Sequence, residues 1–411
     1  MRLLESTQYI EDLGKVTGLD MDWEELRGRS FMISGATGMI GSTLIDVLMK
    51  LNREQGLGVR ILALGRNEEK ARDRFLEYWK SPEFSFLKCD ITDEASLKMA
   101  FEVVSDKKAL ESALDCKETD SAFVCKTVAF GEKQRDSLQR DSLQGIKTEG
   151  ELSQGIDYIF HAASNTHPVA YAQDPIGTIT ANIIGLNNLL GFGADHGCRR
   201  FLFASSNEIY GENRGDVELF DESYCGYIDC NTMRAGYPES KRAGEALCQA
   251  YIRQKGLDAV IVRFTRSFGP TLLKSDTKAL SQFIRKGVNR EDIVLKSAGT
   301  QYYSYTYVCD AVSGLLTCLL KGSCGEAYNI ADVSCDITLR DLAQTIADSV
   351  GTKVVFELPD AVEAAGYSKA TKARLDSTKL QGLGWKAQFD MKTALVHTIE
   401  VMQGLGQGGS Q

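Results

Sequence analysis

Short apolar runs alternate along the chain with stretches of helical period. Ser30 to Ser34 (SFMIS) reads as a buried strand, and from Ser42 to Asn52 the apolar residues at 44, 45, 48 and 51 follow the helical repeat. Val59 to Leu64 (VRILAL) predicts a second strand, 68–80 a charged helix, and Phe84 to Leu87 a third strand closed by Cys89-Asp90. Asp157 to Phe160, Arg200 to Ser205 and Ala259 to Phe264 predict three more strands, with helices at about 176–196 and 237–255 between them. Strand and helix in regular alternation predict an α/β, doubly wound parallel sheet.

The alternation fails in three places. Residues 1–28 read as an acidic-polar helical arm. From about 105 to 150 the chain is polar and nearly repeats itself, RDSLQ at 135–139 and RDSLQG at 140–145, which predicts an insertion, either partly disordered or folded as a flap, with a plain surface loop as the alternative and an apolar island at Ala122-Phe123-Val124 long enough for one short strand. After Gly269-Pro270 the elements become shorter and mixed. The expected organisation is therefore an arm (1–28), a sheet domain (29–269) carrying the insertion, a smaller α/β substrate-binding region (270–402), and a disordered Gly/Gln/Ser-rich tail (403–411). Strand Ala327 to Ile330 is free to return to the main sheet.

Composition narrows the function. Lys plus Arg is 47 against 56 Asp plus Glu, a net charge of -9 over 411 residues. No broad basic field exists for nucleic acid, so an anionic ligand must be held by a few placed donors. No apolar run approaches the ~20 residues of a membrane span, and the first residues lack a signal-peptide layout. The eleven cysteines form no C-x-x-C pair and there are only four histidines, so neither a metal site nor a disulfide framework is expected. Free thiols suggest the cytoplasm.

Three motifs carry chemistry. Gly35-Ala36-Thr37-Gly38-Met39-Ile40-Gly41 lies between a strand and a helix, where glycines let a pyrophosphate approach the helix N-terminus. The second strand ends in Gly65-Arg66-Asn67. An arginine there accommodates a 2′-phosphate and leans the cofactor from NAD towards NADP, while a solvated arginine at a strand end is an equal alternative. Asp90, ending the third strand, is placed for the adenine edge. Tyr237 and Lys241 stand four apart on one helical face, where a cation favours the phenolate and brings it towards working range as a base.

Together these residues resemble the extended short-chain dehydrogenases/reductases, the NAD(P)-dependent nucleotide-sugar epimerases, dehydratases and decarboxylases. The resemblance rests on the glycine loop, His161-Ala162-Ala163-Ser164, Asn182, Ser205-Ser206-Asn207-Glu208-Ile209-Tyr210-Gly211, Tyr237/Lys241 and Arg263…Phe268-Gly269-Pro270, in that order. Within the family the chain is most similar to UDP-glucuronate decarboxylases, through Ala163 to Pro168, Tyr171, Pro175, Thr178 to Asn182, Gly185, and Glu239 to Tyr251. It implies a Rossmann-type fold, a homodimer through the 176–196 and Tyr237 helices, and a nicotinamide cofactor held by the glycine loop, Ala162, Ala163, Ser164, Asn182 and Lys241. It further implies that Ser206 binds the sugar 4-oxygen, Tyr237 is the base, Lys241 its partner and Glu208 an acid/base carboxylate, acting through a 4-keto sugar.

Three departures bear on the substrate side. Asn207 stands where 4,6-dehydratases have aspartate, Arg266 where the family commonly has asparagine, and Tyr303 where it commonly has arginine. The expectation is that the phosphate-clamping charge has moved from one wall of the pocket, at 303, to the other, at 266. A 4-epimerase, or a catalytically silent NADP-binding sensor, is the competing expectation.

Overall fold

A computed structural model describes residues 2–102, 155–166, 173–357 and 372–407. Seven parallel strands form the main sheet: β1 (Ser30–Ser34), β2 (Arg60–Gly65), β3 (Phe84–Lys88), β4 (Tyr158–His161), β5 (Arg200–Ser206), β6 (Ala259–Phe264) and β10 (Ala327–Ile330). Their order is β10-β6-β5-β4-β1-β2-β3. All of β1 and β6 is buried, as a sheet covered by helices on both faces requires, and this is why these segments read as unbroken apolar runs. The order reverses at β1, whose neighbours are β2 and β4, so a crevice opens at their carboxyl ends.

A second sheet is built on β9 (Tyr302–Tyr307), which pairs with β7 (Arg266–Phe268), β11 (Asp336–Thr338) and β13 (Lys372–Ala373). A small parallel pair, β8 (Ile293–Leu295) and β12 (Val354–Phe356), lies apart. The chain crosses between the sheets rather than leaving the first at 270. The second sheet begins at Arg266, whereas β10 pairs with β6 in the main sheet.

Two terminal segments differ from their sequence reading. Helix Thr7–Thr17 is not a free arm, for Tyr9, Asp12, Leu13 and Val16 are all buried on one face. A buried carboxylate on that face disguised its amphipathic pattern: Asp12 accepts the Tyr307 hydroxyl hydrogen (2.6 Å) and lies 2.9 Å from His397 Nδ1. The C-terminal helix runs Met391–Gln407, so Gly404 to Gln407 belong to it and not to a tail, and Leu405 rests against the core. The insertion at 105–150, with its expected strand at 122–124, lies outside the described residues, as do 167–172 and 408–411.

The helix after the glycine loop, Met39–Gln55, is anchored by a buried polar cluster. Asp46, fully buried, accepts hydrogen bonds from Tyr9 (2.7 Å) and Tyr78 (3.1 Å) and pairs with Arg74. Asp46→Ala would strand a mostly buried guanidinium and two phenols, so unfolding free energy should fall by about 3–5 kcal/mol in urea denaturation. A loss below about 1 kcal/mol would mark the cluster as a solvated surface pair.

Candidate active site

Every sequence-predicted catalytic group sits at the carboxyl end of a main-sheet strand or on the helix beside it. The loop after β1 carries the glycines. Gly35 has φ 70, and a Cβ there would meet backbone atoms of Ala163 and Ala162 at 2.7–2.9 Å. A Cβ at Gly41 would meet the Gly35 carbonyl at 2.6 Å. The loop therefore closes against the segment after β4 with no room for side chains, and Gly38 starts the helix Met39–Gln55 without a side-chain cap. Thr37, Met39 and Ile40 are half-buried at this turn. An uncapped helix start with backbone laid open is a fit site for a pyrophosphate.

The other expected cofactor positions surround it. Ala162 and Ala163 N–H groups donate to Ser34 Oγ (3.2 and 3.4 Å), and Ser164 donates to the Asn165 carbonyl. Asn182 lies in a π-helical turn, Ala181–Gly185, between helices Pro175–Thr180 and Leu186–Asp195. Its amide donates to Ser240 Oγ (2.9 Å), while its Oδ1 is buried with no partner, an acceptor left over for a ligand. Arg66 is exposed at the end of β2. Asn67 is committed to capping the next helix, accepting from Lys70 N–H (2.8 Å). Burial works to raise the Asp90 carboxyl, but hydrogen bonds from Thr92 and the nearby Arg66 charge outweigh it and hold it below the usual range.

The candidate catalytic residues converge between β5 and helix Gly236–Lys255. Ser206 ends β5 and caps a single turn, Asn207–Tyr210, accepting Glu208 N–H (3.2 Å). The Tyr237 hydroxyl is hydrogen-bonded to Ser206. Asn207 is buried, and Glu208 extends beside Tyr237 to meet Arg234 at 3.5 Å. Arg234, three residues before Tyr237, was missed by the sequence reading because an isolated arginine in a loop carries no pattern.

Lys241 is anchored to β5. Its Nζ donates to the Ala204 carbonyl (2.8 Å) and lies 5.8 Å from the Tyr237 ring centre. Burial pushes the ammonium down to about 7, and the Tyr237 phenol is pushed up, by burial first and by the Glu208 charge second. Desolvation is the largest influence on both groups, and it favours the uncharged form of each.

Arg266 and Tyr303 are not on opposite walls. β7 and β9 are neighbours, with Arg266 opposite Tyr305, and the Arg266 guanidinium lies 3.8 Å over the Tyr303 ring. Arg234 and Glu208 are close enough to act on the Tyr303 phenol, whose pKa burial raises most.

The residues 31–107 and 126–331 match the model of the NAD dependent epimerase/dehydratase family, and the chain belongs to it. It is 30% identical over 246 residues to UDP-glucuronic acid decarboxylase 1 of Danio rerio, covering 60% of this chain and 57% of the relative. It is 31% identical over 244 residues to UDP-glucuronic acid decarboxylase 1 of Xenopus tropicalis, covering 59% of this chain and 56% of that one. The match thus spans little more than half the length of either. In fold it is similar to DesIV, a dTDP-glucose 4,6-dehydratase from Streptomyces venezuelae solved with NAD and TYD bound, with a TM-score of 0.68, 19% identity, and 93% and 99% of the two chains covered. Among the described residues no helix is long and apolar enough to cross a membrane, and no cluster of His, Cys, Asp or Glu could hold a metal.

The lysine is testable through stability. Its folded value of about 7 lies below the ordinary 10.5, so between these values the unfolded chain binds the extra proton. Lys241 therefore costs most at about pH 7 and below, and its penalty eases as pH rises. In nucleotide-free protein, unfolding free energy of the wild type relative to Lys241→Met should improve from about pH 7 to about pH 8.5, a comparison in which the thiols and phenols common to both proteins cancel. A difference independent of pH would show that the ammonium is solvated.

Proposed function

We propose that the chain modifies a nucleotide sugar through a 4-keto intermediate, as a decarboxylase of the UDP-glucuronate type or as a 4,6-dehydratase. The observation that carries this reading is the Ser206–Tyr237 hydrogen bond with Glu208 beside it. A hydroxyl pair held together in a buried site accepts a sugar hydroxyl between them, Ser206 sharing its oxygen's charge and Tyr237 taking its proton. A 4-ketone acidifies C5, and Glu208 is the carboxylate in reach of a proton there. A 4-epimerase has no need of that group, so Glu208 favours the lyase reading.

The glycine loop with Gly35, Gly38 and Gly41, the Ala162–Ser164 segment, Asn182, Asp90 and Lys241 are the residues that would hold a nicotinamide dinucleotide. That cofactor, when bound, supplies a hydride acceptor. We assign it as NAD or NADP, with exposed Arg66 the group that would meet a 2′-phosphate. Asn207, buried at the foot of Glu208, would face the substrate. The region after 270 supplies a second wall through β9. We also propose a cytoplasmic protein, from eleven scattered cysteines that form no C-x-x-C pair.

We further propose a homodimer through the Pro175–Asp195 rod and the Tyr237 helix. Leu186 and Leu190 of that rod are buried in its own subunit, but Ile176, Ile179 and Ile184 are 76%, 37% and 45% exposed, an apolar face looking outward. Light scattering at micromolar concentration should give twice the chain mass, and a monomer would overturn the assignment.

The reaction is tested by incubating the protein with UDP-, dTDP-, CDP- and GDP-sugars and reading products by mass spectrometry. Loss of carbon dioxide marks decarboxylation, loss of water dehydration, and a rearranged sugar of unchanged mass epimerisation. Tyr237→Phe should lower turnover on the order of 100- to 10,000-fold and leave nicotinamide-cofactor affinity nearly unchanged, because the phenol acts on the substrate proton. Retained turnover would remove Tyr237 from the chemistry.

A further inference from the structure

Arg266 is an arginine without a counterion. Among the described residues the neighbouring arginines are matched, Arg263 with Glu245, Arg242 with Glu239 and Arg234 with Glu208. Among the described residues no ion pair or hydrogen bond reaches the Arg266 side chain, and its Nη1 is buried with no acceptor. What holds it is the Tyr303 ring, 3.8 Å beneath the guanidinium carbon. Stacking of this kind fixes the guanidinium plane and leaves its fork of N–H donors to be used edgewise, in the geometry that matches a carboxylate or a phosphate. Tyr303 cannot neutralise it, since burial keeps that phenol protonated. The position is beside the site, because Arg266 follows β6 by two residues and the last residue of that strand, Phe264, pairs with Ser206. A partly buried, unneutralised guanidinium is a standing cost to the fold that an anion removes on binding.

We propose that the Arg266–Tyr303 stack is the oxyanion receptor of this site and decides which nucleotide sugars it accepts. The proposal rests on the reading that a nucleotide sugar is the substrate. Two parts of such a molecule offer the same chemistry, the diphosphate and a carboxylate on the sugar. Both are flat or forked oxygen sets able to take two parallel N–H bonds from one guanidinium.

The sources separate by titration calorimetry on the full chain with NAD present, using UDP, UDP-glucose and UDP-glucuronate as probes. If the stack holds the diphosphate, Arg266→Ala weakens all three by roughly ten- to a hundred-fold. If it holds the sugar carboxylate, only UDP-glucuronate is weakened, by a similar factor. Either result supports the receptor provided that affinity for NAD is unchanged. Arg266→Lys keeps the charge but loses the planar fork, and should recover only part of the loss. The double variant Arg266→Asn with Tyr303→Arg moves the cation to the adjacent strand and should restore binding; both variants also decide the matter if Arg266→Ala does not fold. Equal affinities of wild type and Arg266→Ala for probes that the wild type binds overturn the receptor and leave the proposed function standing. A parallel loss of NAD affinity also overturns it, by showing a general effect on the fold. A wild type that binds NAD but none of the probes removes the nucleotide-sugar reading itself, and the receptor with it.

Discussion

The spacing between Ser206 and Tyr237 is set by a charge pair one layer deeper. Arg263, on β6, gives Glu245 two parallel N–H bonds at 3.0 and 2.7 Å, and Ser205 donates its hydroxyl hydrogen to the same carboxylate at 2.5 Å. Arg263 also reaches the Tyr210 hydroxyl (2.9 Å) and the Glu222 carbonyl (2.8 Å), and Tyr210 in turn donates to Asn329 of β10. One ion pair thereby ties β5, β6, β10, the Asn207–Tyr210 turn and the Tyr237 helix. Ser206 follows Ser205 directly, and Tyr237 lies two turns before Glu245 on a single helix. Such a pair contributes little net stability over an apolar replacement, but it tolerates only one register of the elements it joins, and losing either partner strands the other.

That same burial explains the electrical state of the catalytic pair. With Lys241 lowered to about 7 and the Tyr237 phenol raised, burial works against the charged form of both. Creating a phenolate in this setting is costly unless positive charge arrives with it. Among the described residues the Lys241 amine donates to the Ala204 carbonyl, two residues before Ser206, and an ammonium there has two further donors. The carboxylate of Glu208 works the other way, and Arg234 offsets its charge where it would otherwise oppose ionisation of the phenol.

Local pattern made most of this legible. The six strands before 265 were readable to within a residue at either end because parallel strands buried on both faces leave unbroken apolar runs, and Ala327–Ile330 matches its expected bounds. The glycine loop was readable because only glycine survives the contact of Gly35 with Ala162 and Ala163. Illegible were features decided by tertiary pairing. The helical period of 7–17 is broken by Asp12, whose burial makes sense only with Tyr307 and His397, nearly three hundred and four hundred residues away. Residues 266 and 303 were recognisable as departures, but their contact depends on the register of β7 with β9, and a reading that puts them on separate walls is undone by one strand pairing. The Glu208–Arg234 pair is likewise a product of where a turn and a helix start meet.

Charge placement then limits how this chain can recognise an anion. With a formal charge of -9, its long-range field repels a nucleotide diphosphate, and screening confines any compensating attraction to within about 8 Å at physiological salt. Recognition must therefore come from cations in contact with the ligand, and the site has few. Lys241 is buried, which works against its charge, and Arg234 is already balanced by Glu208. Among the described residues of the site, Arg266 combines permanent charge, a ring stacked on it, and no carboxylate to share it with. An acidic enzyme that gathers its substrate through one oriented guanidinium discriminates by geometry rather than by net attraction. Its specificity should thus be decided at the β7–β9 pairing, the same contact that a linear reading of the chain does not reveal.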